Sequence, residues 1–590
     1  MGKIPATKVA EVAFFGTIAI WLAGLILVIR PLSWDEIENF RATRWVGRGL
    51  LPYRDFWEHH TPLLWLVEGP IARLLAPGAG TWAVVTMRVV QLLVWLITFT
   101  MIARILKSEG VQTRAVHLAF LALLLSRSFT FLAVEFRPDP LAEAFLIAGL
   151  ALVFLKKPLS ARHWITFGAL VSAAVLTNMR LVPLALAAGA LMLIARVDER
   201  KWGFNWQATW MLVGVVAMAS AFVFWLWVTR SLPHFLDAVF TYNITSNKMM
   251  LTAVHGNFSS MVRGVLLAPD IGAWLLLLCA VSGALAAWRH WRDAGPIQIL
   301  TILSFVELIS ISRLGASHPY HLQCLFLLMT VPAANGLLIR WRRPAVFALV
   351  VAFLLDLSVT DTVGAMTQQN SLMLEVDRRT SRSDVVLDGV GYALNRTPAY
   401  RYWFMPLGVV LMAKFKLLPQ YGARELIANP PGAIIYTSRL ESWFDDFPDL
   451  LPVVRRNYLP RQRALWIPAL NGIVSPQAPA QEWVVLTGGM YRAHAVELLA
   501  KHPWFRDPLE YAKRVGPDSE LLTARLEELP HVDARQCRWT LNGAPVSTTM
   551  RLRRGDHVRV EISTPVPVGI VIVPSDVDTI FDSSGERFHM

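Results

Sequence analysis

The chain has 590 residues, 54% of them hydrophobic and only 17% charged, which excludes an ordinary soluble globular protein and fits a multi-pass membrane protein. A formal charge of +13 would suggest nucleic acid in a soluble chain, but here Lys and Arg fall largely in short stretches between apolar runs, so the lipid bilayer is the first partner and nucleic acid is excluded. The three cysteines, Cys279, Cys324 and Cys537, lack CxxC spacing, so neither a zinc site nor a disulfide framework is suggested and redox chemistry is not the function.

At the N-terminus, Lys3 and Lys8 precede an apolar run at 10–30 that ends in Arg30 and Pro31 without a small-residue cleavage site, so a retained span is expected. Further apolar runs lie near 82–102, 115–132, 140–155, 164–178, 181–195, 208–229, 271–288, 296–312, 320–339 and 344–360, which makes about eleven spans. With a cytoplasmic N-terminus, the inner loops at 104–114, 156–162, 196–201, 289–292 and 340–343 are all short and basic, as the positive-inside rule requires. The loops 31–81 and 230–270, the turns near 126–139 and 313–320, and everything after 361 then face outward. Arg41, Arg44, Arg48, Arg54, Arg137 and Arg313 run against that rule, and anion binding is a physical reason for such exceptions.

In the first outer loop, Ser33 followed by Glu36 fits a capping box, so a helix is expected from there to about Gly49. Arg41, Arg44 and Arg48 share one of its faces, which reads as an interfacial helix with a basic stripe. The stretch "YRDFWEHHTPLLWL" then sets Asp55, Glu58, His59 and His60 ahead of Pro62, where a second interfacial helix is expected. Capping and snorkelling account for single residues, but four ionisable groups at a water-lipid boundary are costly unless used. Two imidazoles beside carboxylates suit either a divalent metal ion or phosphate oxygens.

Later turns carry similar groups. "EFRPDPLAEAF" has Arg137 and Asp139, although Asp139 before Pro140 also fits a plain helix N-cap. "SRLGASHPYHLQ" supplies Arg313, His318, Tyr320 and His321, and the 230–270 loop adds His234, Tyr242, Asn243 and His255. All are expected to converge on one outward-facing cavity.

From about residue 362 the composition becomes that of a soluble domain. "SDVVLDGVGYAL", "GAIIYTSRL" and "EWVVLTGGMYRAHAVELLAKH" read as buried strands with at least one helix, giving an α/β domain over 362–530. The segment 531–590, with "NG" and "RGD" turns between alternating strands, reads as a β-rich module. The apolar centre of 400–419 is too short to span and is expected to lie on the membrane surface.

The Asp-Glu pair outside the first span, "PYRDFWEHHTPLL", "RPDPLA" and "HPYHLQCLFLLMTVPAANGL" together resemble the GT-C superfamily of polyprenyl-phosphate-sugar-dependent glycosyltransferases, over roughly residues 1–361. The nearest branch is the bacterial relatives of protein mannosyltransferases, including lipid A aminoarabinose and galacturonic acid transferases. The resemblance implies Asp35 as catalytic base or acceptor-positioning acid, Asp139 as the second acid, and Arg137 at the pyranose or phosphate end of the donor. It implies donor or metal binding at His59 and His60, with His60 standing where relatives carry lysine and Thr61 where they carry a first proline. Glu36, Arg54, Glu58, Arg313, His318, Tyr320 and His321 complete the expected substrate-binding set. The implied reaction is an inverting displacement that releases lipid phosphate, with an envelope glycan, lipid A or a protein as acceptor. The implied location is a bacterial inner membrane with the C-terminal domain in the periplasm, where it would orient the acceptor or a partner.

Three rivals share these features: a glycan-lipid transporter or flippase, a ligase moving a whole preassembled glycan, and a non-catalytic envelope assembly protein. A transporter should show repeats and polar groups near the middle of spans, whereas these charges crowd one membrane face.

Overall fold

A computed structural model describes residues 30–156, 158–194, 206–253, 270–289, 295–312, 319–335, 363–460, 464–497, 524–525, 531–563, 567–577 and 579–580. The chain divides into two units, one running to residue 363 apart from 79–81, and one from 364 onward.

The first unit is helical, with α1 Trp34–Gly47, α2 Leu63–Leu75, α3 Thr81–Ser108, α4 Thr113–Leu124, α5 Arg127–Ala133, α6 Pro138–Leu155, α7 Ala161–Thr177, α8 Val182–Ile194, α9 Trp206–Val228, α10 Tyr242–Ala253, α11 Ile271–Arg289, α12 Pro296–Ser312 and α13 Gln323–Asn335. Among the described residues, Thr81–Ser108, Pro138–Leu155, Trp206–Val228 and Gly272–Arg289 are long and apolar enough to cross a membrane. The runs at 10–30 and 344–360 lie outside the described residues. Leu146, Leu150, Phe167, Leu184, Leu276, Leu300 and Leu327 belong to one buried cluster.

The apolar run at 115–132 is not one helix. Asp270 accepts the Ser126 hydroxyl at 3.1 Å and the Ser128 N–H at 2.7 Å, which takes up the free donors of a new N-terminus and splits the run into α4 and α5.

The first-loop helix begins where its cap requires. Ser33 accepts the Glu36 N–H, the helix closes at Arg48, and Gly49 follows at φ 91°. Of the expected basic stripe, Arg48 alone is exposed. Arg41 and Arg44 are buried, Arg41 lies 4.7 Å over the Trp45 ring, and Arg44 donates to the carbonyls of Gly78 and Pro77. α1 is therefore a core element of its unit, because α2 packs across it where Gly47 meets Gly69.

In the second unit, β1 Val385–Asp388, β2 Thr397–Pro398, β3 Ala433–Ile435, β4 Tyr458–Pro460 and β5 Leu465–Pro468 form one sheet ordered β2-β1-β3-β5-β4. β1 runs parallel to β2 and β3, and the other pairs are antiparallel. Four short helices, α15 Leu407–Lys414, α16 Ala423–Ala428, α17 Ser438–Asp446 and α18 Leu450–Asn457, follow the longer α14 Val363–Arg379. The membrane-surface expectation for 400–419 fails at α15, whose Val409, Val410 and Ala413 are buried within this unit.

β6 Leu470–Val474, β7 Ala480–Val484, β8 Gly489–Glu497, β10 Cys537–Leu541, β11 Ala544–Pro545, β12 Thr549–Leu552, β13 His557–Ile562 and β14 Val568–Pro574 build two antiparallel sheets, β11-β10-β13-β7 and β12-β8-β14-β6. The remaining pair is β9 Ala524–Arg525 with β15 Thr579–Ile580. Trp483, Trp539, Val558, Val560, Val568 and Ile570 share one core between the two sheets. Asn542 and Gly543, both at positive φ, make the two-residue turn that "NG" announces. The boundary expected at 531 is overturned, since β6, β7 and β8 pair with strands beyond it.

Candidate active site

The loop after α1 doubles back through Tyr53, which sits at φ 68° and donates its hydroxyl to the His60 carbonyl at 2.7 Å. Asp55 pins the turn by accepting the Leu51 N–H at 2.8 Å. This fold-back lays Glu58, His59 and His60 against Glu38, one turn beyond Asp35 on α1. His59 Nδ1 lies 3.4 Å from Glu38 and 3.3 Å from Glu58, and His60 Nδ1 lies 2.9 Å from Glu58. One ligand atom from each of these four residues falls within 4.8 Å of the others.

A second wall comes from the 230–253 segment. A π-helical turn at Leu236–Thr241 leads into α10, whose Tyr242 meets His59 edge-on while Trp57 stacks on its other side. Asn243 donates to the His59 carbonyl at 2.9 Å.

The electrostatics divide the two acids. Burial, then the charge of Glu58, pushes the Glu38 carboxyl well above the usual range. Burial would raise Glu58 as well, yet hydrogen bonds and charge from His59 and His60 pull it down to about 2. Burial and the neighbouring His60 lower His59. The two adjacent acids are thus pushed in opposite directions. Glu38 Oε1 and Glu58 Oε2 are buried without a hydrogen-bond partner, which fits a cluster waiting for a cation.

Beside this cluster, the Asp35 side chain is 36% exposed and accepts a hydrogen bond from Arg137 at 2.8 Å. Arg137 is the N-cap of α6, not Asp139, and its guanidinium also reaches Glu135 and Asp139, each at 3.3 Å. Asp139 is buried; Arg137 holds its Oδ2, while Asn178, at 3.0 Å, and Arg180 both donate to Oδ1. Asp139 therefore orients two arginines and does not present a free oxygen to an acceptor.

Glu36 departs furthest from the expected substrate-binding set. It is fully buried, both oxygens are held by Arg88 at 2.6 and 2.7 Å, and Oε1 also accepts the Phe136 N–H. Arg54 is exposed and bonded to Asp55 and the Thr229 carbonyl, away from Asp35. His321 lines a separate small cavity with Asp139. Arg313, His318 and His255 lie outside the described residues, and the Tyr320 side chain is not described. Sequence reasoning missed Glu38, Arg88 and Arg180; only Glu38 left a signal, one helical turn beyond Asp35.

No protein-family model matches the chain, and no curated protein does. Among solved structures, the chain is similar to ArnT from Cupriavidus metallidurans in the apo state, with TM-score 0.47, 14% identity, and 81% of this chain and 96% of that chain covered. The same protein bound to undecaprenyl phosphate gives TM-score 0.46 at 14% identity and the same coverage. An apo oligosaccharyltransferase from Archaeoglobus fulgidus gives TM-score 0.40 and 11% identity, covering 96% and 95%. The chemistry of the site rests on its own residues.

Proposed function

We propose that this chain is a membrane glycosyltransferase that moves a sugar from a polyprenyl-phosphate donor to an envelope acceptor by one inverting displacement. The observation that carries the reading is Asp35, an acid left half-open beside a buried cluster whose polar atoms lack partners. In this reading the acceptor oxygen bonds to the anomeric carbon as the bond from that carbon to the phosphate oxygen breaks. The electron pair leaves with the lipid phosphate, and the acceptor's hydroxyl proton passes to Asp35. Arg137 holds Asp35 in place, and Arg137 and Arg180 supply guanidinium donors of the kind that bind a phosphate. Glu38, Glu58, His59 and His60 would hold a divalent ion, which would add positive charge toward the leaving phosphate. The site would face the outside of a bacterial inner membrane, with lipid A, an envelope glycan or a protein as acceptor.

The test uses the full chain in nanodiscs, a panel of polyprenyl-phosphate sugars and an envelope extract as acceptor, with release of polyprenyl phosphate read by mass spectrometry. Asp35→Asn should slow release by roughly 10²- to 10⁴-fold, the usual share of a general base. A chelator should lower the rate if the four-residue cluster is loaded, and added divalent ion should restore it. Tight binding of lipid-linked sugar without consumption by the wild type would favour the transporter or assembly reading instead.

A further inference from the structure

The exit of α15 reverses the pattern of the helix itself. Within the helix Val409, Val410, Met412 and Ala413 are buried. From its last residue onward, Lys414, Phe415, Lys416 and Leu417 are all exposed. Phe415, at 63%, and Leu417, at 55%, are the most exposed large apolar side chains among the described residues of the second unit.

The backbone holds them there. The Lys416 N–H donates to the Ala413 carbonyl at 2.9 Å and the Leu417 N–H to the Met412 carbonyl at 2.8 Å, the paired bonds of a Schellman cap. That cap needs a left-handed residue just past the helix, and Lys416 takes the place at φ 60°, where glycine is the usual choice. The apolar residue after such a cap commonly folds back onto the helix, yet Leu417 stays exposed. A lysine held left-handed costs folding energy, and phenylalanine and leucine left in water return none.

Single exposed apolar side chains are normal, but here two of them flank a cation on a strained turn. Lys414 is matched by Asp446 at 2.6 Å. Lys416 has no ion-pair partner and Phe415 no ring contact among the described residues. Apolar side chains beside an unmatched lysine suit the boundary between anionic headgroups and acyl chains. A bilayer is also a surface this protein always meets, because its described helices include four long and apolar enough to cross one. We propose that the tip at 414–417 docks on anionic lipid, with Phe415 and Leu417 entering the acyl boundary and Lys416 set against the headgroup phosphates. α15 stays in the core of its unit, and only its exit makes the contact. The docking is independent of whether the chain transfers sugar.

The test uses the full chain in nanodiscs, with a nitroxide on Phe415→Cys or Leu417→Cys in a Cys537→Ser background and the buried Cys279 and Cys324 left in place. Thr548→Cys, exposed in the sandwich, carries the reference label. Collisions with oxygen, which concentrates in lipid, are compared with collisions with a water-soluble nickel chelate. Relative to the reference, both tip labels should favour oxygen over nickel in bilayers of phosphatidylcholine mixed with phosphatidylglycerol. Tip labels that meet nickel as freely as the reference would put the tip in water, and labels shielded from both reagents would put it against protein, in a partner or a second copy. Either result overturns the proposal. Adding Lys416→Gly removes the charge and the strain together. The melting temperature should then hold or rise, while the ratio of docked to free label in the mixed bilayers falls about fivefold, the share of one lysine at an anionic surface. No fall, or an equal fall in phosphatidylcholine alone, overturns the assignment to anionic headgroups.

Discussion

Asp388, at the end of β1 in the second unit, is as deeply buried as Glu38 and Glu58 in the first loop. It accepts the N–H groups of Val390, Gly391 and Ala393, each at 2.9 Å, and Arg396 nearby donates to Thr380 and to the Asp377 carbonyl. Glu38 and Glu58 keep oxygens without partners among the described residues. Burying a charge is tolerable when donors are built around it, and is otherwise retained only where a ligand or proton completes the set. A polar group with every partner in place shapes the chain, and one left short of partners marks where something binds.

Four substitutions test how far that contrast holds. The largest effect belongs to Asp35→Asn, whose loss in rate should come without loss of thermal stability, since the Asp35 side chain is partly exposed. A comparable fall in melting temperature would place Asp35 with the structural acids. Next is Arg88→Met, which strands buried Glu36 and should destabilise the first unit by about 3–5 kcal/mol, read as loss of monodisperse protein in size exclusion. A stable Arg88→Met protein that no longer binds donor would return Glu36 to the substrate-binding set. Asp388→Asn turns one acceptor into a donor facing an N–H and should cost about 1–3 kcal/mol, read by thermal unfolding, with transfer unchanged at temperatures where the variant stays folded.

The effect spread over the widest pH range is at Glu68 in α2, which burial pushes up to about 8 while Gln91 donates to it at 3.0 Å. Its folded form binds a proton that the unfolded chain has lost, so its stabilisation is complete below about pH 4.5 and falls as pH rises to about 8, at a slope on the order of 1 kcal/mol per pH unit. Glu68→Gln should flatten that slope in melting temperature against pH; an unchanged slope would show that Glu68 is already ionised.

Local signals in the sequence located the helices of the first loop well. Ser33 and Pro62 stand at the starts of α1 and α2, and Arg137 and Asp139 stand together at the start of α6. These signals depend on neighbours within a turn, which is the range a sequence displays. Arg88 sits inside an apolar run, and nothing local tells that Glu36, 52 positions earlier, closes on it. Glu38 reads as a polar residue on a helix until the fold-back at Tyr53 brings Glu58 to it. In "MYRAHAVELL" the residues Ala, Glu and Leu favour helix, but pairing with β14 makes Gly489–Glu497 a strand.

The crossing of α1 and α2 sets the tolerance of the whole first-loop site. A Cβ on Gly47 would stand 2.4 Å from the Gly69 carbonyl oxygen, and one on Gly69 would stand 3.0 Å from the Gly47 nitrogen. The nearest atom on each side is main chain, which cannot give way. A methyl group at either glycine would act as a shim under a lever, the short arm at the crossing and the long arm reaching roughly 13 Å along α1 to Glu38. The spacing of the Glu38 and Glu58 carboxyls is thus adjustable from a point that no substrate touches.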